Sequence, residues 1–178
     1  MKRVFVVGAS NMDICAKSSD PMREADSNIG VVSTACGGVG RNIAVALRRF
    51  GFQVSFLTAI ADDTFGHDIM TSLKADAVGP VAPFFTGDGL RKELRSGVYS
   101  YVLDSNGALL CGINDMGIND ELTPAFVGGY DNALKAADYV VFEANIPVET
   151  IEYLGSLAKG GVKLAADCVS VSKCDKLS

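Results

Sequence analysis

The stretch Gly37-Gly38-Val39-Gly40-Arg41-Asn42 decides the fold, and an apolar segment at 43–50 follows it directly. Glycine has no Cβ, so a turn of this kind lets a helix start approach another backbone or a ligand closely. The N–H groups at such a start can bind a polar or anionic ligand. The spacing predicts a helix over 41–50 that ends at Gly51. Its inward face is predicted to carry Ile43, Ala46, Leu47 and Phe50.

Short, continuous apolar runs bounded by turn residues occur elsewhere in the chain. Such runs are typical of strands that are buried on both faces of a parallel sheet. Helical segments alternate with them, and this alternation predicts an α/β fold in a single domain over 1–178. The predicted parallel strands lie at 4–7, 53–58, 139–143 and 162–167, and the further helices at 66–75, 131–137 and 147–159.

A second, smaller sheet is predicted from a different pattern. Two β-rich runs at 98–103 and 108–113 flank Asn106-Gly107, which is a strong hairpin signal. The run 31–36 is β-branched and leads into the glycine turn, whereas the polar segment 16–28 is predicted to be a loop. We therefore expect a small lid sheet formed by segments near 14–36 and 97–114.

Composition excludes several classes of protein. A net charge of -5 and a pI near 4.8 argue against binding to a nucleic-acid polymer. No apolar run approaches the length needed to span a bilayer, so no membrane partner is expected. The five cysteines form no close pairs and there is a single histidine, which predicts free thiols, no metal site and a cytoplasmic location.

Asn11 and Asp13 follow the first predicted strand, at the edge of the sheet where α/β proteins bind ligands. A carboxylate accepts two hydrogen bonds and an amide both donates and accepts, so this pair suits adjacent hydroxyl groups. Asn42, just inside the first helix, is a third candidate. The alternative is that Asn11 and Asp13 only shape a turn.

The glycine turn also allows a dinucleotide-binding interpretation. Gly38-Val39-Gly40 begins a G-x-G-x-x-G pattern, and Asp62 lies at a suitable distance for a ribose contact. The third glycine position is Ile43, however, and the turn does not follow the first strand. A dinucleotide-dependent oxidoreductase is therefore the weaker alternative.

Taken in order, these motifs resemble the ribokinase-like (PfkB) carbohydrate kinase family. The resemblance is carried by Gly8 with Asn11 and Asp13, by the glycine turn with its helix, and by Ala61-Asp62-Asp63-Thr64-Phe65-Gly66. It covers essentially all 178 residues. It implies a ribokinase-like three-layer α/β/α sandwich, incomplete at the C-terminus, with a small β-sheet lid.

The resemblance also implies roles for individual residues. The implied sugar- or nucleoside-binding residues are Asn11, Asp13, Gly38, Val39, Asn42, Tyr99, Tyr101, Asn114 and Asn145. The implied nucleotide-side residues are Asp167 and Lys173. Cys168 stands where the family pattern leads us to expect a proline, which puts the geometry of that loop in question.

Within the family, the glycine turn, Ile113-Asn114-Asp115-Met116 and 167–173 are most similar to the pseudouridine kinases. This implies ATP- and Mg²⁺-dependent phosphorylation of pseudouridine at its 5′ position, and a homodimer formed through the lid sheet.

The family's Gly-Ala-Gly-Asp turn lies beyond these 178 residues, so no catalytic residue is assigned. We expect the chain alone to be inactive, and a non-catalytic sugar- or nucleoside-binding remnant is the alternative. The run at 86–89, Thr-Gly-Asp-Gly, is predicted to be an ordinary turn.

Overall fold

The structure is a computed structural model that describes residues 1–80, 85 and 94–177, so the predicted turn at 86–89 lies outside the described residues. Its larger sheet is parallel and has the strand order β5-β4-β1-β8-β9. The strands are β1 (Arg3–Val7), β4 (Gln53–Leu57), β5 (Gly79–Pro80), β8 (Tyr139–Glu143) and β9 (Leu164–Asp167). The four predicted strands are confirmed, and the two-residue β5 extends the sheet by one.

Helices cover both faces of this sheet. The first layer contains α1 (Val39–Arg49) and α2 (Thr64–Ala75), and the second contains α3 (Pro124–Gly128), α4 (Asp131–Ala136) and α5 (Val148–Ser156). Alternate residues of β1 point to opposite faces, as the two-residue period of a strand requires. Val4 and Val6 pack with the first layer, and Phe5 and Val7 with the second. The expected three-layer α/β/α arrangement is confirmed.

The predicted inward face of α1 was wrong in part. Phe50 is 81% exposed, and Ala46 is also exposed. The buried residues of the helix are Gly40, Ala44 and Val45. The helix lies so close to the sheet at its first turn that small residues occupy the contact, and this rotates the larger Phe50 outward at the C-cap.

The second sheet has the strand order β3-β2-β6-β7. Its strands are β2 (Asn11–Ser18), β3 (Gly30–Gly37), β6 (Gly97–Leu103) and β7 (Leu109–Asp115). β2 pairs antiparallel with β3 and parallel with β6, and β6 and β7 form the predicted antiparallel hairpin. The prediction of a loop from residue 16 was wrong at its start, because β2 continues to Ser18 with a partner strand along each edge.

Three 3₁₀ helices complete the described chain, at Gly117–Glu121, Leu157–Gly160 and Val171–Leu177. The one at Leu157–Gly160 continues α5 and lies largely within the helix predicted over 147–159. The other two and α3 were not predicted, because segments this short carry too little periodicity. In the part of the chain that the structure describes, no helix has the length and apolar character needed to cross a membrane.

Candidate functional site

A cleft of about 510 Å³ lies where the two sheets meet. Ala9, Asn145 and Val169 line it, and each lies two residues beyond the end of a parallel strand. Those strands, β1, β8 and β9, are neighbours in the larger sheet. The cleft therefore occupies the carboxyl edge of the sheet, which is where open α/β folds bind their ligands.

The structure brings most of the residues singled out in the sequence to this one cleft. Its lining includes Asn11, Asp13, Gly38, Val39, Asn42, Tyr99, Asn114, Asn145 and Lys173. Tyr101 and Asp167 are not part of the lining. The lining also contains residues to which the sequence analysis assigned no role, namely Ala9, Met116, Asn119, Asp120, Val169 and Lys176.

Asn11 and Asp13 form a hydrogen-bonded pair at the base of the cleft. The Asn11 Nδ2 atom donates to Asp13 Oδ1 over 2.6 Å, and Asn11 is only 5% exposed. Both residues belong to β2, at positions i and i+2, which place their side chains on one face of the strand. Because they lie in a strand, the alternative that they only shape a turn does not hold.

Glycine at position 37 makes room for the Asp13 carboxylate. A Cβ atom on Gly37 would lie 2.2 Å from Asp13 Oδ2, well inside van der Waals contact. A larger residue at 37 would therefore displace the carboxylate from the cleft.

Strand register aligns a row of side chains across the smaller sheet. Asp13 on β2 is paired with Tyr99 on β6, and Tyr99 is paired with Asn114 on β7. Residues paired in this way lie on the same face of a sheet. Asp13, Tyr99 and Asn114 all line the cleft, so this face forms one continuous wall.

Tyr101 lies next to Tyr99 on the same face of β6. Its ring stacks on that of Tyr99, with centroids 5.1 Å apart. It is paired with Cys15 on β2, and a hydrogen bond with the Cys15 thiol raises the pKa of Tyr101. Tyr101 thus contacts Tyr99 rather than the cleft.

The glycine turn joins α1 to the loop that follows β1. Gly38 has a φ of 101°, and a Cβ atom there would lie 2.5 Å from Ser10 Cα. Only glycine adopts this conformation with so little space. The Arg41 N–H group donates to the Ala9 carbonyl oxygen over 3.2 Å. The next residue, Asn42, is exposed and lines the cleft.

Glu143 is a site residue that the sequence analysis missed. It ends β8, is fully buried, and accepts hydrogen bonds from the Ala9 N–H at 2.7 Å and the Asn145 N–H at 2.8 Å. Burial raises the pKa of the Glu143 carboxyl, and the two backbone hydrogen bonds oppose that rise. One side chain therefore positions two of the loops that line the cleft. The available signal was an acidic residue at the end of a buried apolar run.

Two lysines approach the cleft from the 3₁₀ helix Val171–Leu177. The Lys173 ammonium donates to Asn145 Oδ1. The Lys176 ammonium donates to the carbonyl oxygens of Ala144 at 3.1 Å and Ile146 at 3.4 Å. The two positive charges therefore lie beside the loop that follows β8.

Asp167 ends β9, and its carboxylate serves the local turn. It accepts from the Val169 N–H at 2.6 Å, and Val169 has a φ of 66°, which is a strained value for a β-branched residue. The loop containing Cys168 is thus tightly bent, and Asp167 lies outside the lining of the cleft.

The dinucleotide interpretation does not fit the topology. A dinucleotide fingerprint joins a strand and a helix of one parallel βαβ unit. Here the turn joins β3, in the smaller sheet, to α1 on the larger one. Asp62, the proposed ribose contact, lies exposed with its Oδ1 atom 2.9 Å from His67 Nε2.

Known proteins are similar to this chain in both sequence and fold. It is 29% identical to the pseudouridine kinase of Escherichia coli (strain K12) over 174 residues, which cover 98% of this chain and 54% of that protein. It is 28% identical to the ribokinase of Bacillus subtilis (strain 168) over 158 residues, covering 85% and 50% of the two chains. The chain thus spans about half the length of the curated relatives it matches.

A solved structure, the carbohydrate kinase from Agrobacterium tumefaciens, superposes with a TM-score of 0.90 at 27% identity. The match covers 99% of this chain and 57% of that one. Superposition on this structure and on a ribokinase confirms the ribokinase-like fold. Residues 1–175 match the family described as pfkB family carbohydrate kinase. The chain therefore belongs to the pfkB family of carbohydrate kinases.

Proposed function

We propose that the protein acts in the ATP-dependent phosphorylation of pseudouridine at its 5′-hydroxyl. The observation that carries the proposal is the Asn11–Asp13 pair at the base of the cleft, because a paired amide and carboxylate suit the adjacent hydroxyls of a ribosyl group. Membership of the family supports phosphoryl transfer to a sugar or nucleoside. The similarity to the E. coli pseudouridine kinase supports the choice of acceptor.

The geometry at the base of the cleft indicates how a sugar would bind. The Asp13 carboxylate keeps Oδ2 free of the bond to Asn11, so it can accept from a hydroxyl of the ligand. Asn42 and Asn145 add amides from α1 and from the loop after β8. Tyr99 presents an aromatic ring from the wall, against which the apolar face of a sugar or base can pack.

Lys173 and Asp167, which the family resemblance places on the nucleotide side, differ in how well they suit a bound nucleotide. When bound, ATP supplies the phosphoryl group that is transferred. The Lys173 ammonium lines the cleft and suits an anionic phosphate, whereas the Asp167 carboxylate is bonded to the turn at Val169. Mg²⁺ prefers several oxygen ligands. Over 1–80, 85 and 94–177 no three acidic, cysteine or histidine side chains gather in a way that could hold it, so these residues do not form a Mg²⁺ site by themselves.

An activity assay separates a kinase from a protein that only binds its ligand. That the 178 residues alone transfer no phosphate stays a prediction, because positioning and charge stabilisation from the Gly-Ala-Gly-Asp turn are needed. Incubation with ATP and pseudouridine, followed by detection of the 5′-phosphate, checks it. Product formed by the 178-residue chain would contradict it.

A thermal-shift panel tests the acceptor directly. Pseudouridine, uridine, ribose and fructose 6-phosphate are added at equal concentrations to the wild type, to Asp13→Asn and to Asp20→Asn. We expect the largest shift with pseudouridine, its loss in Asp13→Asn, and its retention in Asp20→Asn, which alters an exposed carboxylate outside the cleft. Stabilisation by ribose or the sugar phosphate alone would exclude pseudouridine as the acceptor.

We also propose a homodimer through the smaller sheet and a cytoplasmic location. The support for the dimer is the exposure of apolar side chains on that sheet, with Val32 68% exposed and Ile113 74% exposed. Sedimentation of Val32→Asp should show a monomer, while Val171→Asp, at a 90% exposed position elsewhere, should not change the mass. The support for the location is that all five cysteines are free thiols.

A further inference from the structure

Asn119 is a buried polar residue with an unused hydrogen-bond acceptor. It lies in the 3₁₀ helix Gly117–Glu121 and is only 4% exposed. Its main chain is fully engaged, since its N–H donates to the Met116 carbonyl and its own carbonyl accepts from the Leu122 N–H. Among the residues that the structure describes, the side-chain Oδ1 atom has no partner.

An unpartnered acceptor in this position calls for a ligand. Buried polar groups are nearly always hydrogen-bonded, because leaving one unpaired destabilises the folded protein. Asn119 lines the same cleft as Asn11 and Asp13. The Oδ1 atom is itself shielded from solvent, so the side-chain amide must turn toward the cleft before a donor on a ligand there can satisfy it.

The chemistry of the amide indicates which donor fits. A side-chain amide carries an acceptor and a donor side by side. This pattern complements an N–H group next to a C=O group, as on the edge of a uracil ring, better than it complements a single hydroxyl. The groups assigned to the sugar hydroxyls lie on other elements: Asn11 and Asp13 on β2, and Asn145 after β8.

We propose that Asn119 reads the base of the nucleoside, by pairing its side-chain amide with the N–H/C=O edge of a uracil-type ring. The inference rests on the proposed function and makes the acceptor a nucleoside rather than a free sugar. Pseudouridine, whose ring is joined to the sugar through carbon, offers such an N–H at both ring nitrogens, whereas uridine offers it at one.

Calorimetric binding of pseudouridine and of ribose to the 178-residue chain tests the inference. In Asn119→Ala we expect the Kd for pseudouridine to rise about tenfold or more, which is the usual effect of losing a two-point contact to a base edge. The Kd for ribose should stay unchanged. Asn119→Asp replaces the amide donor by a second acceptor at equal size, and it should also raise the Kd for pseudouridine. Asn132→Ala, on the exposed side of α4, is the matched control.

Melting of the ligand-free variants supplies a second readout. Because Oδ1 makes no bond in the free protein, Asn119→Ala should lose only the packing of a small buried side chain, and its melting temperature shows that it is folded during calorimetry. Equal losses of ribose and pseudouridine binding, or an unchanged Kd for pseudouridine, would overturn the base-reading role and leave the proposed function standing. If the wild type binds neither compound, the proposed function fails and this inference fails with it.

Discussion

The base of the cleft and the β6–β7 hairpin of its wall differ in how many of their polar groups are already paired. At the base, the Asn11 amide is bonded to Asp13, and the Glu143 carboxylate is bonded to two backbone N–H groups. On the wall, every residue of β7 is exposed, and the row that faces the cleft is held mainly by strand pairing. Substitutions at the base should therefore reduce stability, whereas substitutions on the wall should reduce ligand affinity with little effect on folding.

The largest expected effect is at Gly38. Gly38→Ala should lower the free energy of unfolding by about 3–5 kcal/mol, because it combines a positive φ with a Cβ contact of 2.5 Å. Gly107 in the wall hairpin also has a positive φ of 88°, but a Cβ atom there meets nothing within 4 Å. Gly107→Ala should therefore cost only about 1 kcal/mol. Urea denaturation measures both, and equal losses would contradict the close approach at Gly38.

Glu143→Gln comes next. It should lower the free energy of unfolding by about 1–3 kcal/mol, because one of the two backbone N–H groups then faces an NH₂ group instead of an oxygen. Asp104→Asn in the wall turn, where the carboxylate is half-buried, is the comparison and should cost less. A larger loss of unfolding free energy in Asp104→Asn than in Glu143→Gln would contradict the expectation that the base of the cleft is more sensitive than the wall.

The same variant has a defined pH dependence. The pKa of Glu143 is raised in the folded protein, so its contribution to stability is fully present below its ordinary value of 4.5. That contribution declines as the pH rises through the folded-state pKa. The stability difference between wild type and Glu143→Gln should therefore shrink as the pH increases from 4.5 upward. Denaturation at several pH values checks this, and a difference that grows with pH would contradict the direction of the shift.

On the wall, the expected change is in affinity. Tyr99→Ala should raise the Kd for pseudouridine about tenfold, because a ring that lines the cleft is lost. Tyr101→Ala removes the ring stacked behind it and should have a clearly smaller effect. Calorimetry separates the two variants. Equal effects would mean that Tyr101 also contacts the ligand.

The smallest effect is expected at Asn114. Asn114→Ala should change the free energy of unfolding by less than about 0.5 kcal/mol, as is usual for an exposed side chain. The matching substitution at the base, Asn11→Ala, should cost about 1–2 kcal/mol, because it removes a bond to Asp13 from a buried residue. Similar costs in the two variants would remove the distinction between base and wall.

Local patterns predicted much of this architecture. The strands β1, β4, β8 and β9 are short, mainly apolar runs, and Asn106-Gly107 predicts the β6–β7 hairpin. Asn11 and Asp13 could be placed at the ligand-binding edge because they follow a buried strand, whereas Asn145 was assigned to the same site only through the resemblance to the family.

Features that depend on distant partners could not be predicted. Glu143 is bonded to Ala9 across 134 positions of sequence, and no local pattern records that contact. The rotation of α1 that exposes Phe50 depends on how closely its first turn approaches the sheet. The unused acceptor of Asn119 becomes apparent only when its surroundings are known.

The pairing of Asn11 with Gly37 has a mechanical consequence. These two residues stand where the chain leaves the larger sheet for β2 and where it returns from β3 to α1. The two crossings lie side by side and form the pivot of the smaller sheet. Any rotation of that sheet as a rigid body about this pivot would move the hairpin turn at Asn106 much farther than Asp13, which lies only two residues from Asn11. The width of the cleft could thus change while the hydroxyl-binding pair keeps its position.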